Sequence, residues 1–267
     1  MNLLLSLRIY FSYFRRFVTA RLEYKLDFVA SIIANVLMTT SGLLFISFLV
    51  DGEAVPSIKG WRRDEVLFIY GYSMLSMALF TTFSPNLYQF GDRYIIQGQF
   101  DRVLLRPLNS VAQVIFESFN LESIGSLLTG IGVIVYTSSR LQLSFGPLEY
   151  LWLALSVLSG GIILLSVFIT IASLSFHFED RLGISAPVFS LITFGRYPTP
   201  IFNHTIQFIL RWVVPFAFVA FYPATHFLGR EEFRALCYAT PLVGIAAAAI
   251  ATASWMFGVS RYSSTGN

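Results

Sequence analysis

The sequence has few of the residues from which soluble active sites are built. Its 267 residues include one cysteine, Cys237, two lysines and three histidines, His177, His204 and His226. A single cysteine excludes an intrachain disulfide and a cysteine metal site. The three histidines are scattered without the spacing of metal ligands. We therefore expect neither a metal site nor a disulfide-stabilised domain.

Motifs of nucleotide and hydrolytic chemistry are also absent. No G-x-x-x-x-G-K-[ST] sequence occurs, so the chain has no phosphate cradle of its own. There is no H-E-x-x-H and no G-x-S-x-G sequence. We expect a protein that is not an enzyme and that binds no cofactor itself.

Charge is scarce throughout the chain. Charged residues make up 12% of the sequence, about half the fraction found in soluble domains. The net charge of +3 is too small and too dispersed to indicate a nucleic-acid partner. Hydrophobic residues reach 55%, with a mean hydropathy of +0.68. This composition predicts an all-α integral membrane protein.

Long apolar segments predict six transmembrane helices, because about 20 apolar residues cross a bilayer core. We expect these helices at residues 28–50, 66–90, 111–136, 148–176, 182–202 and 238–259.

The region before the last span admits two interpretations. One places the fifth span at 205–222. The other places it at 182–202 and makes residues 204–228, interrupted by Pro215 and Pro223, a re-entrant hairpin. Arg211 favours the hairpin, because a shallow segment allows its guanidinium to reach water.

The N-terminal residues 1–26 mix leucines and aromatics with five basic residues. Apolar positions recur at three- and four-residue steps, which predicts an amphipathic helix lying at the membrane surface. The spans and their loops, residues 27–267, would form one domain. Five basic residues precede the first span and three follow it in the next loop, which predicts cytoplasmic termini.

Four polar residues inside predicted spans are candidates for a translocation path or for contacts between helices: Asn35, Thr39, Glu117 and Glu122. Small and polar residues in the first span favour helix packing. An ionised glutamate in a span usually faces protein or water. Glu117 is near a span end and is expected to form a hydrogen bond. For Glu122, a cation site or proton relay and an interhelical hydrogen bond both remain open.

Residues 91–110 form a polar segment between the second and third predicted spans, GDRYIIQGQFDRVLLRPLNS. Within it, QFDRVLL has the pattern of a short amphipathic helix that ends at Arg106-Pro107. Phe100, Leu104 and Leu105 would present an apolar ridge. Asp101 and Arg106 would supply charge-assisted contacts. This segment predicts a docking site for a soluble partner.

The layout resembles the permease subunit of ATP-binding-cassette exporters of the type-2 class. GQFDRVLLRPLNS resembles the family's glycine, aromatic-Asp and Leu-Arg-Pro-Leu-Asn signature, and RYPTPIF and WVVPFAFVAFYPA resemble its proline-rich stretches. The C-terminal RYSSTGN resembles its Arg-Tyr-x-Ser-x-Gly ending. These matches extend over most of the chain in the family's order.

The resemblance implies a coupling element that sits in a cleft of a separate ATPase subunit. It assigns to that element the following residues: Gly98, Phe100, Asp101, Leu104, Leu105, Arg106, Pro107 and Asn109. We call residues 91–110 the coupling segment. ATP and Mg²⁺ would bind the ATPase partner.

The resemblance also implies a multi-pass protein of the cell inner or plasma membrane. Two permeases, identical or sister chains, would assemble with two ATPase subunits in the lipid bilayer. Apolar walls favour efflux of a hydrophobic or amphiphilic substrate, including drugs. A membrane scaffold or passive channel is the alternative from another class. A membrane enzyme is less favoured, because no convergent His, Asp and Glu set occurs.

Overall fold

The chain folds into a bundle of α-helices, seen in a computed structural model that describes residues 3–50, 57, 59–178 and 184–263. No strand element occurs in those residues. Seven helices span ten residues or more: α1 Leu3–Glu23, α2 Lys25–Val50, α3 Arg63–Phe83, α7 Ser123–Arg140, α8 Pro147–Phe178, α9 Ser185–Phe194 and α13 Thr240–Arg261.

Short helices connect these longer ones: α4 Pro85–Tyr88, α5 Phe100–Leu104, α6 Ser110–Phe116, α10 His204–Phe208, α11 Phe221–Phe227 and α12 Arg234–Tyr238. Two π-helical turns, Phe90–Ile96 and Ile209–Val213, lie among them. The all-helical fold predicted from composition is confirmed for the described residues.

Within the described residues, four helical stretches are long and apolar enough to cross a membrane: Lys25–Phe45, Arg63–Phe83, Pro147–Phe178 and Glu231–Arg261. A helix pair bent by 77°, His204–Val213 with Phe216–Phe227, would make five. Six spans therefore stay a prediction. The start of the fifth predicted span, residues 182–183, lies outside the described residues, as do the last four residues of RYSSTGN.

Two predicted spans are each divided in the structure, and for the third the prediction of a single helix is wrong. The second, 66–90, is interrupted after Phe83, as expected from Pro85, which lacks an N–H donor and starts the separate helix α4. The third, 111–136, is divided into α6 and α7 by a non-helical stretch, residues 117–122. There the side chain of Asn120 accepts a hydrogen bond from the Glu122 backbone (3.1 Å), a local turn that competes with the helix.

Helix α3 lies at the centre of the bundle and packs against α7 and α8, while α8 also packs along α13. Small residues allow these close approaches. Gly160 of α8 lies against Ser76 of α3 and the Val219 carbonyl, leaving no room for a Cβ atom. The Ser76 hydroxyl donates to that carbonyl (3.1 Å), so the bent helix pair reaches the middle of α3.

The two ends of α3 define the two ends of the bundle. At the Arg63 end, which we call the hairpin end, Lys59 donates to the Pro200 carbonyl (3.2 Å) and Arg230 pairs with Glu65 (3.0 Å). Both flanks of the bent helix pair thus lie at this end, an arrangement that favours the re-entrant hairpin over a broken span. At the Phe83 end, which we call the coupling end, α3 leads into the coupling segment.

Candidate functional site

The coupling segment folds back on itself through a tight turn at Gly98. The turn follows the π-helical stretch Phe90–Ile96 and leads into α5, and Gly98 adopts a φ of +69°. A positive φ is readily accessible only to glycine. Asn109 then begins α6, because its side-chain oxygen accepts from the Ala112 backbone (3.0 Å) as an N-cap.

Phe100 anchors the segment to the bundle core and is fully buried. Its ring packs edge-to-face against Phe176 of α8 (centroids 5.0 Å apart), Trp255 of α13 (6.0 Å) and Tyr262 (5.1 Å). The predicted apolar ridge containing Phe100 is therefore wrong at this position. The first position of α5 points inward, toward these aromatic rings, and cannot contact a partner.

The C-terminal end of α13 holds the same part of the segment through two hydrogen bonds. The Tyr262 hydroxyl donates to Asp101 (3.0 Å), and the Trp255 indole N–H donates to the Ser110 hydroxyl (2.9 Å). Burial, strengthened by the hydrogen bond to Asp101, raises the pKa of Tyr262 to about 12. The hydroxyl therefore remains a donor at physiological pH. Asp101 thus contacts the C-terminal region of its own chain.

Glu117, directly after the C-terminal end of α6, forms hydrogen bonds to the coupling segment. Its carboxylate accepts from the Tyr94 hydroxyl (2.5 Å) and from Arg102 (2.8 Å), with Arg93 at 3.6 Å. Burial and the bond to Glu117 both raise the pKa of Tyr94 above its ordinary value, so Tyr94 donates. Glu117 therefore joins α6 to both halves of the coupling segment, as the hydrogen-bonding prediction for this residue required.

Amide side chains complete this support. Asn86 donates to the Val114 carbonyl (2.7 Å) and accepts from Arg93 (2.9 Å). Gln113 of α6 donates to the carbonyl of Val103 (3.0 Å) and to that of Leu108. The backbone of the segment is thus held by side chains as well as by its own short helices.

One face of the segment remains exposed. Leu105 is 85% exposed and Leu104 is 46% exposed, although both are apolar. Arg106 and Pro107 are exposed beside them, and the Arg106 guanidinium donates a hydrogen bond to the Tyr13 hydroxyl (3.2 Å). We call Leu104–Pro107 the exposed turn. An apolar and basic surface of this kind suits a partner with an apolar groove and acidic rim.

Helix α1 packs against the break between α6 and α7. The ring of Tyr10 stacks on Phe116 (5.0 Å), and Phe14 and Phe17 contact Phe119 edge-to-face.

An ion pair lies beside these rings. Arg21 bonds to Glu122 and lies 3.6 Å from Asp27. Glu122 therefore lies outside any regular helix and ties α1 to the start of α7.

Asn35 and Thr39 lie at the contact between α2 and α7. The Asn35 side chain accepts from the Ser126 hydroxyl (2.8 Å), and Thr39 lies 3.4 Å from the Thr129 hydroxyl. Gly125 of α7 touches Asn35 too closely for any larger residue. This geometry corresponds to helix packing. The structure brings neither residue near Glu117 or the coupling segment.

Several residues of the site escaped the sequence analysis: Asn86, Tyr94, Gln113, Phe176 and Trp255. The polar ones stand within or beside apolar stretches, and that position alone could have marked them as buried hydrogen-bonding groups. Nothing in the order of the residues indicates that Phe176 and Trp255, far apart in sequence, meet Phe100.

The fold and the composition together define a multi-pass helical membrane protein with a partly exposed polar segment at one end of the bundle. The family model described as ABC-2 family transporter protein matches residues 36–266, most of the chain. The chain therefore belongs to the ABC-2 transporter family and is a membrane permease component. The same comparisons match it to no curated protein and to no solved structure.

Proposed function

We propose that this chain is the transmembrane subunit of an ATP-driven exporter, and that a separate ATPase subunit drives it through the coupling segment. ATP and Mg²⁺ bind the ATPase, whose closure pushes the segment and switches the substrate path from inward to outward access. The observation that carries this proposal is the exposed turn, an apolar and basic surface on a segment that the bundle holds rigidly.

A displacement of the exposed turn would be transmitted to the helices through two contacts. Phe100 precedes Leu104 by about one helical turn and lies among the aromatic rings of α8 and α13. Arg102, on the same short helix, is bonded to Glu117 of α6. Because both contacts are direct, displacement of α5 displaces α6, α8 and α13 rather than being absorbed by a flexible loop.

A second permease, identical or a sister chain, would complete the translocation path. Helix α2 presents a nearly continuous apolar surface to its surroundings, including Leu37 (65% exposed), Met38 (79%) and Phe45 (63%). Such a surface suits lipid or another permease. We propose a complex of two permeases and two ATPase subunits in the cell inner or plasma membrane, with both termini cytoplasmic.

The cargo that we propose is hydrophobic or amphiphilic, and it leaves the cell. The bundle offers apolar surfaces with few charges, which suits a drug or lipid-like molecule better than an ion or a sugar.

Affinity purification in mild detergent tests the proposal. The wild-type chain should co-purify with a subunit that contains a Walker A sequence, and reconstituted complexes should show substrate-stimulated ATP hydrolysis. Arg106→Glu should reduce that stimulation roughly ten-fold, because it removes a charge-assisted contact.

Arg234→Glu is the matched control, the same charge reversal on an exposed arginine at the hairpin end. It should leave stimulation unchanged. If no ATPase co-purifies in several detergents, or if both variants hydrolyse ATP like the wild type, the chain is not driven through this segment. A scaffold or channel would then fit better.

A further inference from the structure

A cavity of about 390 Å³ opens beside the bend of the bent helix pair, between α8, α9 and α13. Its walls are mostly apolar, among them Val188, Phe218, Val243 and Ile250. The volume lies within the range of small-molecule sites in proteins. No residue of the coupling segment lines it.

Of the described residues that line this apolar cavity, one is charged, Arg211. Among the described residues, its guanidinium has one hydrogen bond, from Nε to the Tyr222 hydroxyl (2.7 Å), and it lies over the Tyr222 ring (5.6 Å). No described carboxylate pairs with it. An arginine offers five N–H donors, so most of its bonding capacity faces the cavity or its mouth.

An unpaired charge beside an apolar cavity is costly. Arg211 is half-buried on the π-helical turn Ile209–Val213, and the cavity next to it has mostly apolar walls. Charged side chains within a membrane are normally paired or hydrated. A bound anion would remove that cost.

The shape of the cavity beside Arg211 indicates which kind of molecule would carry the anionic group. Thr170 and Ser166 of α8 lie along the cavity, and Trp212 next to Arg211 is 66% exposed at its mouth. A molecule with its charge at Arg211 would extend an apolar portion along α8.

We propose that this cavity binds an anionic phospholipid, with the headgroup phosphate on Arg211 and an acyl chain among the residues of α8 and α13. The site goes beyond the transport function proposed above and does not depend on it, since it requires only that the bundle be in a membrane.

Native mass spectrometry of the purified full-length chain tests this site with two lipids of identical acyl chains. Both lipids present a phosphate to Arg211, but only phosphatidylcholine also brings a choline cation next to the guanidinium. We therefore expect phosphatidylglycerol to bind about ten-fold more tightly than phosphatidylcholine. Arg211→Gln should abolish this preference. Ala247→Phe, which fills the cavity wall with an apolar ring, should weaken binding of both lipids. Millimolar inorganic phosphate should displace neither.

Arg234→Gln is the control, the same loss of charge on an exposed residue at the hairpin end, and it should keep the preference. The proposal fails if Arg211→Gln retains the preference, if Arg234→Gln loses it equally, or if phosphate alone competes. It also fails if Ala247→Phe leaves lipid binding unchanged, a result that can be obtained even if Arg211→Gln does not fold. Loss of dimers in Arg211→Gln with an intact lipid preference would instead identify a second copy as the partner of Arg211.

Discussion

At the residue scale, Phe100 and Glu117 hold the coupling segment in different ways. Phe100 is enclosed by aromatic rings and contributes through packing. Glu117 is 27% exposed and contributes through hydrogen bonds and charge. Substitution of Phe100 should therefore affect the stability of the fold, whereas substitution of Glu117 should affect the local mobility of the coupling segment.

Truncation of Phe100 should destabilise the fold itself. Phe100→Ala leaves a cavity among Phe176, Trp255 and Tyr262, and we expect a loss of about 3–5 kcal/mol, seen as a lower Tm in detergent. Leu105→Ala, one helical turn away and exposed, should change stability by about 0.5 kcal/mol or less. Equal effects of the two substitutions would show that Phe100 is not enclosed as described.

Removal of the Glu117 charge should loosen the segment without unfolding the bundle. Glu117→Gln weakens the contacts to Tyr94 and Arg102, at a cost of about 1 kcal/mol given the partial exposure of the pair. Hydrogen exchange at residues 93–106 should accelerate several-fold, while α8 exchanges as in the wild type. Unchanged exchange in the segment would contradict the supporting role of Glu117.

At the scale of elements, the break between α6 and α7 creates the surface against which α1 packs. The non-helical stretch exposes Phe119 to the rings of α1 and places Glu122 beside Arg21. An unbroken third helix would have presented neither.

Charge exchange across this contact tests it. Arg21→Glu places two carboxylates together and should lower the Tm by a few degrees, whereas the double variant Arg21→Glu with Glu122→Arg should recover most of the loss. The control is the double variant Arg21→Glu with Glu149→Arg, in which the second change lies on α8 at the hairpin end. Its Tm should not recover. Additive effects in the first pair would show that the two side chains do not interact.

Helix positions in this chain follow from sequence where apolar runs are uninterrupted. Predicted spans at 28–50, 148–176 and 238–259 agree with α2, α8 and α13 within a few residues. The ends of α3 at Phe83 and of α5 at Leu104 also follow to within two residues, because Pro85 and Pro107 come shortly after them and lack a backbone donor. The break at residues 117–122 does not follow, since glutamate and asparagine stand there among apolar residues and hydropathy alone continues the helix through them.

The candidate site was predictable in location but not in its contacts. Gly98 and Asn109 have local roles, a positive φ and an N-cap, which their residue types already suggest. The inward direction of Phe100 depends on Phe176 and Trp255, which come from the other end of the sequence. Local pattern carries no information on that contact.

At the scale of the whole molecule, the coupling segment and the flanks of the bent helix pair lie at opposite ends of α3. The Thr82 carbonyl accepts from the Asn120 backbone at one end (3.0 Å), and Glu65 binds Arg230 at the other (3.0 Å). The function that we propose requires this separation, because the ATPase would act on the coupling segment at one end and the substrate would leave at the other.

Cysteine labelling checks that arrangement in cells. In a Cys237→Ala background, the Arg234→Cys variant should react with a membrane-impermeant maleimide on intact cells. The Gln97→Cys variant should react only after lysis, because we propose that the coupling end faces the cytoplasm. Labelling of both variants from the same side would contradict the proposed orientation.

The ring cluster around Phe100 also gives the molecule an optical probe of its own. Trp255 is a buried indole whose N–H binds Ser110, at the exit of the coupling segment. The fluorescence of an indole depends on the polarity of its surroundings. Any movement that separates α5 from α13 should therefore shift the emission maximum of Trp255 to longer wavelength and lower its intensity. In a variant whose other three tryptophans, Trp61, Trp152 and Trp212, are replaced by phenylalanine, the proposed conformational cycle can therefore be followed without an attached dye.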